Sequence, residues 1–252
     1  MIKELLARRR QGHRTMGYPR EPAVLPELFR GYPRLSPELC PSDCDLCVAA
    51  CPVGAVTRHG SLALDLGKCT FCPHCDQGCP HNAISFTADP RLATRRREEL
   101  LLTAGEERRL AEPLGKELLR LFGRSLKLRE VSAGGCNACE ADTNVLSTIG
   151  FDLGRFGIQF VASPRHADAL FVTGPVTENM REALLKTHGA IPSPKLVIAC
   201  GSCAISGGPF RGSPEVHNGV DAFLPVDLYI PGCPPHPVTI LDGLLRTLGK
   251  MP

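Results

Sequence analysis

The sequence predicts two folded units, a small α+β unit in the N-terminal half and a parallel α/β unit in the C-terminal half. In the first half, two runs of closely spaced cysteines repeat at an offset of 28 residues, which indicates an internal duplication. In the second half, short apolar runs alternate with helix-like patterns, as in a parallel sheet that helices cover on both faces. With 252 residues and 43% apolar content, the chain can form one large domain or two small ones.

The composition of the chain excludes several classes of function. The formal net charge is +3, which is too small to indicate a nucleic-acid partner. Tryptophan is absent and only three tyrosines are present, so no aromatic stacking platform is expected. The sequence contains no run of roughly 18 apolar residues, and we therefore expect no transmembrane helix.

Thirteen cysteines are many for a reduced cytosol unless a metal holds them. The alternative is a secreted, disulfide-bonded protein, but no apolar signal core follows Met1. Arg8–Arg10 hint at a twin-arginine signal, yet polar residues follow them in place of a hydrophobic stretch. We therefore expect a cytoplasmic protein whose thiols are held by iron.

Residues 1–35 are predicted to form an amphipathic helix and an extended arm. Ile2, Leu5 and Leu6 fall on one helical face and three arginines follow, so the helix can lie at a membrane surface. A frayed terminus or a helix docked on a partner is an equally good interpretation. The many prolines between residues 17 and 41 favour an extended arm. We expect the arm around residues 17–35 and the N-terminal helix to be ordered only in a complex, with the helix near the bilayer.

The second cysteine run has the spacing C-x2-C-x2-C-x3-C-P, which binds a [4Fe–4S] cluster in bacterial ferredoxins. It consists of Cys69, Cys72, Cys75 and Cys79, followed by Pro80. The first run consists of Cys40, Cys44, Cys47 and Cys51, followed by Pro52, and its first gap is one residue longer, so this loop must bulge. A zinc site is the alternative, but zinc takes four thiolates, whereas eight fall here in two ferredoxin-spaced groups.

Two crossed ligand sets follow from this spacing, because the cysteine before the proline ligates the other cluster in two-cluster ferredoxins. One cluster is expected to take Cys40, Cys44, Cys47 and Cys79, and the other Cys69, Cys72, Cys75 and Cys51. Residues 36–90 are therefore predicted to form a bacterial two-cluster ferredoxin domain. The alternating residues Ser61–Asp65 predict a small strand within it.

Residues 91–125 are predicted to form a helical connector with no chemistry of its own. Opposite charges three and four residues apart support an exposed helix, which Pro113 interrupts. The segment is interpreted as a linker and an interface.

Residues 126–252 are predicted to form a flavodoxin-like parallel α/β domain. Buried strands are predicted at Leu126–Val131, Ile158–Ala162, Ala169–Thr173, Lys195–Ala199 and Val226–Ile230, and helices at Asn179–His188 and Val238–Leu248. Sites in such folds lie in loops beyond the carboxyl ends of the strands. The five remaining cysteines occupy three such loops, which can hold one cluster together. A dinucleotide site is the competing interpretation, but no G-x-G-x-x-G is present.

One of these five cysteines is spare, because a [4Fe–4S] cluster needs four. Cys200 directly continues the apolar run that ends at Ala199, so we expect it to pack on the strand as a small hydrophobe. Cys203 follows Gly201, which lets the backbone turn out of the sheet and approach a cluster closely. The predicted ligands are Cys136, Cys139, Cys203 and Cys233, with Cys200 free.

Four signatures in the C-terminal half resemble the small, proximal-cluster subunit shared by complex I (its 20 kDa-type subunit) and the group 4 membrane-bound [NiFe] hydrogenases. They are GGCNACE, SPRHAD, GSCAISGG and PVDLYIPGCPP. Residues 29–86 resemble the two-cluster ferredoxin subunit of the same complexes, so the chain looks like a fusion of the two subunits. The resemblance covers about residues 28–90 and 127–250. Complex I subunits carry two adjacent cysteines where this chain has Cys136-x-x-Cys139. This hydrogenase-like form favours the energy-converting hydrogenase or formate hydrogenlyase branch.

The resemblance implies an electron-transfer subunit that relays electrons through three [4Fe–4S] clusters to or from a large subunit. The implied partners are that catalytic, nickel-binding subunit, membrane-arm subunits, and an electron-donor protein or dehydrogenase. The resemblance also implies that this chain has no complete active site and no nickel, and that partner subunits hold it on the cytoplasmic face of the membrane. Two alternatives stay open: the equivalent subunit of a complex I-like quinone oxidoreductase or nickel-free relative, and a soluble electron carrier.

Three side chains near the signatures have alternative roles. Glu140 follows Cys139 at a predicted helix start, where a carboxylate can relay protons or simply interact with the helix dipole, and we favour the second role. Arg165 and His166 are equally suited to hydrogen-bond cluster sulfurs or a partner and to cap the next strand.

Overall fold

The computed structural model describes residues 2–12, 14–41 and 43–251, and its fold is α/β and α+β as predicted. The N-terminal helices are α1 (Ile2–Gln11), α2 (Leu46–Ala50), α3 (His74–Gln77) and α4 (Lys116–Phe122). The N-terminal strands are β1 (Pro33–Leu35), β2 (Val56–His59), β3 (Ser61–Asp65), β4 (Ile84–Phe86) and β5 (Leu101–Thr103). The C-terminal helices are α5 (Ala138–Val145), α6 (Glu178–Ala190), α7 (Ser202–Ser206) and α8 (Pro237–Thr247). The C-terminal strands are β6 (Leu126–Ser132), β7 (Ile158–Phe160), β8 (Ala169–Thr173), β9 (Leu196–Cys200) and β10 (Leu228–Ile230).

The C-terminal part is built around a parallel sheet of five strands. The strands lie side by side in the order β7, β6, β8, β9, β10. Counted from β6, this is the order 2-1-3-4-5 of flavodoxin-like folds, so the predicted fold class is confirmed. All residues of β8 and β9 are buried, as expected for central strands that are covered on both faces.

The cysteine-rich part contains two small antiparallel sheets. β1 pairs with β4, so that Leu35 lies opposite Ile84, and β3 lies between β2 and β5. The predicted strand Ser61–Asp65 is confirmed as β3. The short helices α2 and α3 carry the third cysteine of each run, Cys47 and Cys75. This paired arrangement is consistent with a ferredoxin-like segment.

The prediction of a helical connector over residues 91–125 is wrong for most of that segment. Only α4 is α-helical, whereas β5 extends the N-terminal sheet by pairing with β3. The charge spacing was misleading because some of the charges make specific contacts. Arg97 donates to both carboxylate oxygens of Asp65, at 2.9 and 2.7 Å. Leu100 is fully buried, so the segment contributes to the core.

The proline-rich arm finds packing partners within the chain, which corrects the expectation that it is ordered only in a complex. The Tyr18 side chain is buried, and its hydroxyl donates to Oδ1 of Asp242 in α8 at 2.5 Å. Arg155 donates to the carbonyl oxygen of Tyr18 at 2.8 Å. Helix α1, by contrast, has no buried residue. No helix in the described part of the chain is long and apolar enough to cross a membrane.

Two hydrophobic cores lie on opposite faces of the parallel sheet. Because side chains alternate along a strand, Leu170 and Val172 of β8 belong to one core and Phe171 to the other. The first core also contains Leu62 and Leu64 of β3, so the N-terminal part packs directly on the sheet. This packing places the second cysteine run beside the carboxyl edge of the sheet.

Candidate metal centres

Three cysteine-bearing loops meet at the carboxyl edge of the parallel sheet. β6 leads into the loop that carries Cys136 and then into α5, whose first turn carries Cys139. β9 leads into α7, which carries Cys203, and β10 leads into the loop that carries Cys233. Because these strands are parallel, their loops lie at one edge, as predicted.

Gly201 brings two of these loops into contact. Its φ is +90°, a conformation that favours glycine. A Cβ atom placed on it would lie 2.5 Å from Sγ of Cys139, so a larger residue would collide with the thiol. The backbone just before Cys203 therefore lies directly against the Cys139 side chain, as expected where several thiols share one cluster.

The thiols at this edge lie close enough together to raise each other's pKa. Burial is the main cause of the raised pKa of Cys139, and charge repulsion from Cys203, Glu140, Cys233 and Cys136 adds to it. Burial also raises the pKa of Cys203 to about 12, again with contributions from Cys233 and Cys136. In such surroundings, a bound cation is needed to hold several thiolates together.

Cys200 packs differently from the other four cysteines of this half. It is fully buried at the end of β9 and belongs to the hydrophobic core that contains Leu228 and Ile230. Burial raises the pKa of its thiol well above the usual value. This is the packing expected of the spare cysteine, although the ligand assignment itself stays a prediction.

A first group of N-terminal thiols combines both cysteine runs. Burial raises the pKa of Cys47, and the next causes are Cys79 and then Cys40. The guanidinium of Arg58 donates from Nη2 to Sγ of Cys40 at 2.8 Å. Its Nε atom forms an ion pair with Oδ1 of Asp45 at 3.2 Å, without the alignment of a hydrogen bond. No sequence motif marks Arg58, so it was not among the predicted site residues.

A second group also combines the two runs. Burial raises the pKa of Cys69 to about 12 and that of Cys75 to about 11. Charge repulsion from Cys51 and Cys72 adds to both shifts. Each group thus includes the last cysteine of the other run, as in the predicted crossed sets, and Cys47 of the first group also adds to the raised pKa of Cys75.

Backbone donors to sulfur repeat along with the cysteine runs. The amide of Ala55 donates to Sγ of Cys51 at 3.2 Å, and the amide of Ala83 donates to Sγ of Cys79 at 3.3 Å. Hydrogen bonds to the ligand sulfurs are one of the factors that set the potential of iron–sulfur clusters. The internal duplication is therefore visible in the sulfur environment as well as in the spacing.

The donor set, in which every cysteine is free, fits iron–sulfur clusters. All thirteen cysteines are free of disulfide bonds. Among the described residues, no three His, Cys, Asp or Glu side chains come close enough to hold one metal ion. A [4Fe–4S] cluster makes a different demand, because its four thiolates bind separate iron atoms at the corners of a cube.

Of the three side chains with alternative roles, only Glu140 lies at the cysteine edge. It is buried at the start of α5, and its Oε1 accepts a hydrogen bond from Oγ1 of Thr173 at 2.7 Å. Arg165 and His166 are exposed on the turn before β8, at the opposite end of the sheet. Glu130 of β6 was not among the predicted site residues, and burial and Glu140 raise its pKa to about 7. The available signal was a carboxylate within a predicted buried strand.

The part of the chain that matches known proteins includes this cysteine-bearing edge of the sheet. Residues 136–247 match the family model described as NADH ubiquinone oxidoreductase, 20 Kd subunit. Over 150 residues, the chain is 40% identical to the probable membrane-bound hydrogenase subunit mbhJ of Pyrococcus furiosus. That alignment covers 60% of this chain and 90% of the Pyrococcus protein.

Two further relatives belong to other enzymes. The chain is 46% identical over 134 residues to formate hydrogenlyase subunit 7 of Escherichia coli, covering 53% of this chain and 52% of that protein. It is 48% identical over 118 residues to a subunit of the NADH-quinone oxidoreductase of Clostridium beijerinckii, covering 46% of this chain and 70% of that protein. The chain thus spans about half the length of the Escherichia coli relative. Since it matches the Pyrococcus protein over most of that protein's length, it belongs to the family of the NADH ubiquinone oxidoreductase 20 kDa subunit, together with subunits of hydrogenases.

Proposed function

We propose that this chain is an electron-transfer subunit that relays electrons through three [4Fe–4S] clusters in a membrane-associated, hydrogenase-like complex. The observation that carries the proposal is the meeting of three cysteine loops at one sheet edge, next to the second cysteine run. When bound, iron–sulfur clusters accept and release electrons at potentials set by their surroundings. The chain's own residues hold the clusters, limit the access of water and fix their spacing.

Each cluster has its own set of four thiolates. The first set is Cys40, Cys44, Cys47 and Cys79, the second is Cys69, Cys72, Cys75 and Cys51, and the third is Cys136, Cys139, Cys203 and Cys233. The mutual pKa effects within the N-terminal groups support the crossed sets. The contact between Gly201 and the Cys139 thiol supports the third set.

The names of the relatives support the kinds of partner. They are a subunit of a membrane-bound hydrogenase, a subunit of formate hydrogenlyase and a subunit of NADH-quinone oxidoreductase. By analogy, a large catalytic subunit covers the exposed Cys136, and membrane subunits hold the complex at the bilayer. An electron-donor protein or dehydrogenase meets the ferredoxin-like end. Catalysis belongs to the large subunit, so we assign no catalytic residue to this chain.

A complex I-like quinone oxidoreductase is the second candidate, and the 48% identity to a subunit of such an enzyme favours it. The two candidates differ in the large subunit, because only a hydrogenase holds nickel there. Metal analysis of the purified complex separates them. Nickel that accompanies hydrogen oxidation supports the first candidate, whereas a nickel-free complex that reduces a quinone supports the second. Isolation of the chain from cells as a monomer would contradict both and indicate a free carrier.

Substitution of two neighbouring cysteines tests the third cluster. Anaerobically reconstituted protein should hold about twelve iron atoms, from three clusters of four. Cys203→Ser should lose about four of them and the C-terminal cluster's electron paramagnetic resonance signal. Cys200→Ser is the matched control, since it should keep all three clusters at some cost in packing. Loss of a cluster in the Cys200 variant, with none lost in the Cys203 variant, would reverse the assignment.

A further inference from the structure

We propose that two serines of α7, Ser202 and Ser206, clamp the second cysteine run to the C-terminal cysteine loops and make this contact the electron-transfer junction between the two halves. The inference rests on the proposed function, because it assumes a cluster on each side. One electron crosses from the reduced cluster to the oxidised one, with no bond made or broken. The two serines act as positioning residues, because their hydroxyls contact backbone carbonyl oxygens and they are not among the proposed ligands.

The Ser202 hydroxyl lies where three ligand loops meet. It is buried, and its oxygen lies 2.6 Å from the carbonyl oxygen of Cys69 and 3.1 Å from that of Gly232. A hydroxyl has one proton, so the shorter contact to Cys69 is the principal hydrogen bond. The backbone amide of Ser202 also donates to Gly232 at 2.8 Å. Ser202 precedes Cys203 and Gly232 precedes Cys233, so one residue joins ligand loops of two clusters.

Ser206 repeats the contact one helical turn further along α7. Its hydroxyl donates to the carbonyl oxygen of Gly67 at 2.8 Å, two residues before Cys69. A Cβ atom on Gly67 would lie 2.8 Å from Cγ2 of Ile205, so the backbone there presses against α7. The two hydroxyls lie on the same face of the helix, since residues four apart are neighbours. Together the two hydroxyls hold the turn between β3 and Cys69 at two points.

Further contacts place the second run, rather than the first, at the junction. Thr70 and Phe71 line one cleft together with Cys233. Thr70 and Phe71 lie between Cys69 and Cys72 in the sequence, so this cleft brings the second run beside the loop of Cys233. In the order of electron transfer, the cluster of Cys69, Cys72, Cys75 and Cys51 is therefore adjacent to the C-terminal cluster. The cluster near Arg58 lies further along the relay and meets the external partner.

The test compares Ser202→Ala and Ser206→Ala in the reconstituted full-length chain. Both should keep about twelve iron atoms, from three clusters of four. In the reduced protein, the magnetic interaction between the second-run and C-terminal clusters should weaken, because their separation is no longer fixed. Electron exchange between these clusters after rapid reduction should slow several-fold, and further in the double variant. Thr247→Val is the matched control, because its buried hydroxyl donates within α8 to Gly243.

The outcomes separate this inference from the proposed function. Wild-type protein with fewer than three clusters would contradict the proposed function itself. Three clusters with unchanged magnetic interaction and unchanged electron exchange in both serine variants would overturn the clamp alone. Should Ser202→Ala fail to assemble a cluster, Ser206→Ala decides, since its hydroxyl contacts no ligand residue. An equal effect of Thr247→Val would also count against the clamp, because it would indicate a general loss of packing.

Discussion

At the scale of single residues, a cysteine sulfur and the side chain beside it come from separate parts of the chain, as Cys40 and Arg58 do. Motif spacing is a local property of the chain, so both cysteine runs could be located from the sequence. The choice of Cys200 as the spare thiol followed from its continuity with an apolar strand. Arg58 and Ser202 had no such signal, because folding brings their partners from distant positions in the chain.

The Arg58 contact predicts a shift in the potential of one N-terminal cluster. Its guanidinium donates to Sγ of Cys40 and carries a positive charge, so it favours the reduced, more negative cluster. Arg58→Gln should therefore lower that cluster's reduction potential, by an amount on the order of tens of millivolts for a charge-assisted hydrogen bond. A redox titration followed by electron paramagnetic resonance measures the shift.

Arg181→Gln is a suitable control for this prediction. Arg181 lies on α6 and pairs with Glu178 in exposed surroundings, away from the cysteine loops. Its removal should leave all potentials unchanged. A rise in potential in the Arg58 variant, or an equal shift of all clusters, would show that Arg58 does not act through Cys40.

At the scale of elements, the strands and helices of the C-terminal half followed the sequence closely. Ala169–Thr173 was predicted with the bounds of β8, since an uninterrupted apolar run leaves few alternatives. Residues 91–125 were mispredicted because helical charge spacing does not reveal a cross-chain partner such as Asp65. The only signal in the sequence of the arm was its prolines. Prolines indicate an extended backbone, but they do not indicate what that backbone packs on.

The arm makes a testable prediction through Tyr18. Its hydroxyl donates to the fully buried Asp242, which also accepts from Nε of Arg246 at 2.8 Å. Burial and then Asp242 raise the pKa of Tyr18, so the hydroxyl stays protonated and remains a donor at neutral pH. Tyr18→Phe should lower the free energy of unfolding by about 1–3 kcal/mol, because it leaves a buried acceptor unpaired.

Trypsin digestion of the full-length chain measures the local effect of this substitution. In both proteins, the first cuts should fall at Arg8–Arg10 of the exposed helix α1. Only the variant should then be cut rapidly at Arg14 and Arg20. Tyr32→Phe provides the control, since it keeps the ring beneath the Arg108 guanidinium. Equal resistance of the arm in wild type and the Tyr18 variant would mean that this hydrogen bond does not hold the arm.

At the scale of the whole molecule, the two halves share one of the two hydrophobic cores. Leu64 of β3 is fully buried in the same core as Val172 and Val197 of the parallel sheet. Sequence patterns predicted separate units that end at residue 90 and begin at residue 126. Such patterns indicate which segments form a helix or strand, but not which elements pack together. We expect the shared core to make the halves one cooperative unit, in which packing holds the two groups of cysteine loops at a fixed distance from each other.

Leu64→Ala tests this cooperativity. Removing a fully buried leucine should cost about 2–5 kcal/mol, from lost burial and the cavity that remains. Under conditions in which exchange reports global unfolding, amides of β8 and β9 should lose as much protection as those of β2 and β3, since all four strands open together. Leu101→Ala, at a residue that is 48% exposed, should change both by no more than about 0.5 kcal/mol. Loss of protection confined to β2 and β3 would instead indicate that residues 36–90 and 126–252 unfold as separate domains.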